Sequence, residues 1–437
     1  MRTSVETLQS ELAMLVGGHA RAAVEGDAVA GVAPRVVVEP ETEEQVAAVL
    51  AFADRRGLTV LPRGGGTQLG MGTPPRSGDI ALSLARLNGI VEHAPHDQTV
   101  SVGAGLTLAE LQATLGHTHQ WLALDPAVEQ GATIGGLIAT NASGARRLRY
   151  GGVRDQIIGI RVALADGTLA KGGGKVVKNV AGYDLPKLFT GALGTLGVIV
   201  SATFRLYPLP TASRTVLIGA SSPDVLGEIA VKVIASTLVP TSIDLIQDGD
   251  GGGYVLAVRF ESGVAEAVVE QCEALLALAG EPRTGARMLD GEEEAQFWRE
   301  VEGRLAPAGG ARNGAQAEAS LLLKASVLPS DVTGWLGGLE DAARRREVAV
   351  RWRAHAGHGI VYARLSGRSA TLGEMIGELR AMAMARRGSL VVRDAPPEIA
   401  RAVDVWGPIG ALDVMRRLKE RFDPHATLNP GRFVGGI

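Results

Sequence analysis

The chain has 437 residues, more than the roughly 250 to 300 at which a single hydrophobic core stops growing, so at least two domains are expected. With 46% hydrophobic and 21% charged residues it lies outside the disordered regime, and 44 Lys plus Arg against 47 Asp plus Glu leave no field that favours nucleic acid or an anionic membrane. A single cysteine, Cys272, excludes an intrachain disulfide and a cysteine-held metal or iron–sulfur cluster, and it fits a reducing compartment.

No basic-then-apolar leader opens the chain, because Glu6, Gln9 and Glu11 interrupt it, and no apolar run approaches the roughly 18 residues of a membrane span. A cytoplasmic protein is expected, peripheral at the inner face of the membrane only through partners. Residues 1–32 read as a helical preface. A short β-branched strand is predicted over 36–38. Thr42 and Gln45 then have the spacing of a capping box, opening a helix whose apolar face is Val46, Val49, Leu50 and Ala53 and whose stop is Gly57. Residues 59–61 read as a second strand, which completes a strand–helix–strand unit. Strands are predicted over 80–84, 90–93, 99–102, 157–164, 175–178 and 197–207, with a helix opened by Thr107 and Glu110. Pro208 and Pro210 mark the end of this first domain, 33–210. Over 211–400, strands at 254–260 and 360–365 alternate with helices at 264–279 and 373–386, a separate α+β domain. Residues 281–318, rich in Gly, Ala, Glu and Arg, read as a mobile connection within it. Residues 401–437 form a closing segment.

Glycine is the clearest excess, 58 residues where usage of about 7% is ordinary, and it clusters. The first cluster is Pro62, Arg63, Gly64, Gly65, Gly66, Thr67, then Gly70. Adjacent glycines let amide N–H groups converge on an anion such as a diphosphate. They equally suit a surface loop, and the rigid Pro62 with Thr67 favours the cradle. The last spacing among Gly64, Gly66 and Gly70 departs from GxGxxG, and Pro74 and Pro75 follow where a helix is required, which excludes a Rossmann loop. Gly172, Gly173, Gly174 and Lys175 fail as a phosphate loop because Val176 stands where Ser or Thr must bind magnesium. The second cluster holds Gly131, Ala132, Thr133, Gly135 and Gly136, running on to Asn141 and Gly144. Such small residues admit either a flat ligand or a closely packed helix. The third includes Gly191, Gly194, Gly197, Val198 and Ile199.

Together these clusters, spread over 35–210, resemble the FAD-binding domain of the vanillyl-alcohol-oxidase family, in its glycolate oxidase and D-lactate dehydrogenase branch. The segment with Phe422, Asp423, Pro424, Asn429, Pro430 and Gly431 resembles that branch's terminus. The resemblance implies an α+β protein: a two-subdomain FAD-binding domain of the PCMH type, a smaller α+β cap domain, and a closing segment that returns to the first domain. It also implies FAD as cofactor. The diphosphate would be held by Pro62, Arg63, Gly64, Gly65, Gly66, Thr67 and Gly70, and the ribityl and flavin by Gly131, Ala132, Thr133, Gly135, Gly136, Asn141 and Gly144. Gly197, Val198 and Ile199 would close over the adenosine.

Catalytic relatives add a paired-His metal motif in the second domain. Here His355 matches the first His of that motif, Tyr362 stands where the second is expected, and Val301 stands three residues after Trp298, where relatives place an Arg. No metal is expected. Lys324 and His355 are the remaining candidates for contacting substrate. The resemblance implies an FAD-binding subunit of a glycolate oxidase complex, partnered by a catalytic flavoprotein and an iron–sulfur subunit. A stand-alone FAD-dependent D-2-hydroxy-acid dehydrogenase and a flavin-free structural subunit are the alternatives.

Overall fold

The computed structural model describes residues 3–127, 131–175, 182–248, 253–280, 285–306 and 319–437. It divides into one compact unit of Met1–Ser143, Gly152–Pro208 and Pro408–Ile437 and another of Gly144–Gly151 and Leu209–Gly407.

The first unit contains a four-stranded sheet in the order Ala20–Ala22, Val36–Val38, Ile80–Ser83, Val60–Arg63, with the last three strands parallel. Val36–Val38 and Ile80–Ser83 are buried throughout, as parallel strands covered on both faces must be. The intervening helix Glu43–Arg56 starts where Thr42 Oγ1 accepts from the Gln45 amide at 3.2 Å and stops at Gly57, which has φ 62°. It buries Val46, Val49, Leu50 and Ala53, each larger side chain contributing on the order of 2 kcal/mol. The capping box closes one residue early, since Gln45 Oε1 accepts from Glu41. Strand Ile80–Ser83 inserts between the two strands of the expected strand–helix–strand unit.

A second, antiparallel sheet runs Ile90–Ala94, Thr99–Gly103, Val198–Arg205, Ile157–Ala163, Leu169–Gly173. Its outer strand differs from the expectation of 175–178: Lys175 lies in a bend and 176–178 fall outside the described residues. The N-terminal preface is α-helical only over Val5–Leu15, with a single 3-10 turn at Glu25–Asp27, and Ala20–Ala22 pairs instead with Val36–Val38.

The closing segment is stitched into this unit. Val60 donates to the Thr427 carbonyl at 2.7 Å, and Asn429 donates to the Val60 carbonyl at 3.0 Å. Lys419 Nζ donates to the carbonyls of Thr195 and Leu428 and to buried Asp423. Asp423 in turn accepts from the amides of Thr427 and Leu428.

The second unit is an eight-stranded antiparallel sheet in the order Ala286–Asp290, Ala212–Ala220, Gly253–Ser262, Ser242–Asp248, Ala349–His355, Ile360–Gly367, Ala319–Ser326, Ser389–Asp394. Alternation sorts its faces. Leu321, Leu323, Val361, Ala363, Trp352 and Ala354 enter the main core with helices Pro223–Ile234, Ala265–Ala279, Val332–Arg345 and Ser369–Ala385. Cys272 is buried in that core and its thiol is pushed up to about 11 by burial, an inert thiol. Within the stretch expected as a connection, residues 286–303 form strand Ala286–Asp290 and helix Gly291–Gly303, while 281–284 and 307–318 lie outside the described residues.

Candidate functional site

In the first unit the first two glycine clusters meet. The Gly65 amide donates to Thr133 Oγ1 at 3.4 Å, and the same hydroxyl accepts from the Gly136 amide as the cap of helix Ile134–Thr140. A Cβ on Gly65 would lie 1.6 Å from the Gly131 carbonyl oxygen, and one on Gly64 would lie 2.1 Å from Thr133 Oγ1. These two glycines therefore exist to let one loop lie against the other. Gly66 has φ 80° and meets nothing closer than 3.6 Å. Among the described residues the amides of Gly64, Gly66 and Thr67 have no protein acceptor, so backbone donors are left for a ligand.

The second loop is held from behind. Leu108 donates to the Ala132 carbonyl, Ile134 to the Leu106 carbonyl, and Gly135 to the Ala104 carbonyl at 2.8 Å. A Cβ on Gly135 would come within 2.8 Å of Ala104 Cβ. A cleft of about 810 Å³, open to solvent, results. Its floor is made by Pro62, Arg63, Gly64, Gly65, Gly66, Thr67, Thr133, Gly135 and Gly136, and its apolar walls include Leu69, Leu84, Leu137, Leu193, Val198 and Ile199. Arg63 is fixed beside Asp27 at 3.4 Å, and that carboxyl is held down to about 2, chiefly by its hydrogen bond with Arg21.

Of the residues singled out in the sequence, Gly70, Gly131, Ala132, Asn141, Gly144 and Gly197 do not line the cleft. Gly131 supports Gly65 from behind, Ala132 is buried, and Asn141 ends helix Ile134–Thr140 in the left-handed region at φ 48°. Gly197 leaves room for Phe189, 2.9 Å from where its Cβ would be. Gly144 belongs to the second unit. Sequence reasoning missed Leu193, Gly194, Asn429 and Arg432 as lining residues. The Asn-Pro-Gly turn was the one available signal for the last two.

In the second unit, the sheet face opposite the main core carries a polar cluster. Asp244 is fully buried, accepts from Arg353 Nε and Nη2 at 2.6 Å, and pairs with His355 Nδ1 at 2.9 Å. Arg353 and His355 overcome the cost of burying Asp244 and keep its pKa well below the usual carboxylate range. His358 stacks on His355 at 5.5 Å, and both of its buried ring nitrogens lack a hydrogen-bond partner among the described residues. Burial pushes its pKa down to about 3, so the ring is neutral. Tyr362 sets its ring edge-on to His355 and lies opposite Lys324 across the strands. The Lys324 ammonium has no hydrogen-bond or ion-pair partner among the described residues. Burial, followed by repulsion from Arg393 and Arg147, lowers its pKa to about 8. Val301 is buried with Trp298, Ile246 and Ala257. Among the described residues no group of three or more His, Cys, Asp or Glu side chains could hold a metal ion.

Residues 34–173 match the family model of the FAD binding domain, and residues 209–391 and 406–433 match that of the FAD linked oxidases, C-terminal domain. The chain belongs to the FAD-linked oxidases. Among relatives, it is 27% identical to glycolate oxidase subunit GlcD of Bacillus subtilis (strain 168), with 91% of this chain and 88% of that protein covered. It is 29% identical to D-lactate dehydrogenase of Archaeoglobus fulgidus, covering 92% of this chain and 93% of that protein. The fold is that of alkyldihydroxyacetonephosphate synthase, with a TM-score of 0.69 at 17% identity over 92% of this chain and 78% of the other.

Like other FAD-linked oxidases, the chain takes FAD, and the flavin-free alternative is set aside. The cleft fits that cofactor. Uncovered amides and two cations, Arg63 and Arg432, suit a diphosphate, and aliphatic walls suit a flat ring system. No helix among the described residues is long and apolar enough to cross a membrane.

Because a Cβ at residue 65 collides with the Gly131 backbone, Gly65→Asp is expected to purify without FAD, while Gly89→Ala, whose Cβ meets nothing within 4 Å, keeps it. Absorbance of the bound flavin per protein checks this. A fully yellow Gly65→Asp protein contradicts the placement of the loop.

Proposed function

We propose that the chain is the FAD-binding subunit of a glycolate oxidase complex, a 2-hydroxy-acid dehydrogenase that converts glycolate to glyoxylate with a catalytic flavoprotein subunit and an iron–sulfur subunit. The observations that carry this are a cleft suited to FAD in the first unit and, in the second, a poor set of groups for handling substrate: His355 is tied to Asp244, its ring meets Tyr362, and Val301 is core. The full-length likeness to a glycolate oxidase subunit supports it. Bound FAD supplies a two-electron acceptor for a substrate C–H bond. The residues at 63–67, with Thr133, Gly135 and Gly136, hold the cofactor, and Val198 and Ile199 complete the wall. Electrons would leave through the partner's iron–sulfur clusters, since one buried cysteine cannot bind such a cluster here. The expected location is the cytoplasm, peripheral at the membrane only through those partners.

A second reading, a stand-alone dehydrogenase of D-2-hydroxy acids of the D-lactate type, is favoured by Lys324. A half-buried ammonium without a partner among the described residues, near Arg393 and Arg147, is suited to a substrate carboxylate. His355, oriented by Asp244, would be the group next to the hydroxyl proton.

In the first case, the isolated holoprotein mixed anaerobically with glycolate or D-lactate bleaches slowly or not at all, and rapid bleaching contradicts it. In the second, bleaching requires protonated Lys324. The apparent affinity for the acid then falls as pH rises through about 8, and Lys324→Met weakens binding roughly tenfold or more and flattens the profile. An unchanged profile in that variant removes Lys324 from the site.

A further inference from the structure

Asn429 has a side chain that its place in the fold only half explains. Its backbone amide continues the pairing along strand Val60–Arg63, and its Nδ2 donates to the Leu193 carbonyl at 2.7 Å. That contact fixes the orientation of the carboxamide, because a carbonyl only accepts and the atom facing it must be the NH2. The other end, Oδ1, is thereby aimed away from Leu193. It is buried and lacks a hydrogen-bond partner among the described residues, and the whole residue is 3% exposed. An orphaned buried acceptor is costly to a fold, because its hydrogen bond to water is lost and not replaced. The backbone adds to this, since Asn429 sits at φ 42°, a region that glycine occupies more cheaply. A turn accounts for the left-handed backbone, which Asn tolerates, and leaves the orphaned acceptor unexplained.

Asn429 lines the cleft beside Pro62 and Gly194, with Arg432 in the same wall. Arg432 donates to the Leu69 carbonyl at 2.6 Å, and burial holds its guanidinium to about 10, still charged near neutrality. We propose that Asn429 is a cofactor-binding residue whose Oδ1 accepts a hydrogen bond from an N–H or O–H of bound FAD, making the C-terminal segment part of the cofactor site. FAD offers such donors in both halves: the flavin N3–H and ribityl hydroxyls, and the ribose hydroxyls and adenine amino group. The proposal rests on FAD occupying this cleft, and the tests below separate the two claims.

The apo-protein is titrated with FAD by flavin fluorescence, and its melting temperature is followed in parallel. Asn429→Gly keeps the left-handed backbone and removes the carboxamide. It is expected to weaken FAD binding roughly tenfold. Asn429→Asp keeps an acceptor oxygen and loses the donor to Leu193, so it is expected to bind FAD within about threefold of the unaltered chain even if it melts lower. Unchanged FAD affinity in Asn429→Gly overturns the proposal, whatever its melting temperature. If the glycine variant does not fold, Asn429→Asp decides alone, and a tenfold loss there shows that the donor to Leu193 matters and the oxygen does not. Repeating the titration with FMN by fluorescence, and with AMP by the shift in melting temperature, assigns the donor to whichever half shows the loss. Failure of the unaltered chain to bind FAD at all would instead overturn the placement of the cofactor in this cleft.

Discussion

Two loops meet in the first unit with no room between them for one methyl group. Gly65 and Thr133 are 68 residues apart in the chain, yet an amide of one rests on the hydroxyl of the other, and the Gly131 carbonyl fills the place of the missing side chain. The cleft depends on that contact. It sets the open amides of the first loop beside helix Ile134–Thr140, whose own start is held by Ala104, Leu106 and Leu108. Glycine serves two purposes here. At Gly64, Gly65 and Gly135 it permits backbone to approach protein, while at Gly66 it supplies a left-handed turn that leaves donors uncovered.

The sequence reads best where the determinants are local. The helix Glu43–Arg56 carries its cap, its apolar stripe and its terminal glycine within fifteen residues of chain, and all of these appear in the fold. Strand Leu169–Gly173 is different, for Leu-Ala-Lys-Gly-Gly contains no β-branched or aromatic residue and owes its extended form to pairing with Ile157–Ala163. The first glycine cluster stood out as a candidate cradle because its residues are consecutive, and the fold places residues 62–67 in the cleft. Asn429 and Leu193 were not legible as neighbours, being 236 residues apart, and only the fold brings them together. The same holds for Asp244 and His355, paired across strands 111 residues apart.

The second unit shows how one sheet carries two kinds of information. Its helix-covered face is aliphatic and determines packing. Its other face holds Asp244, Arg353, His355, His358, Tyr362 and Lys324. Burial and nearby charges set their protonation: Asp244 charged, His358 neutral, and Lys324 charged near neutrality with its pKa lowered to about 8. Tyr362 stands where the resemblance implies a second metal-binding His, and Val301, packed with Trp298, stands where it implies an Arg. The closing segment has a comparable double use. Lys419 and Asp423 fasten it to the first unit, and the fastening brings Asn429 and Arg432 into the cleft wall.

We propose that the contact between the two glycine loops makes a cradle for the FAD diphosphate, and a crystal structure of the chain with FAD tests this most directly. The expected result is a diphosphate held by the amides of Gly64, Gly66 and Thr67, with Thr133, Gly135 and Gly136 lying alongside the cofactor. A diphosphate bound elsewhere, with those amides facing solvent, would contradict it.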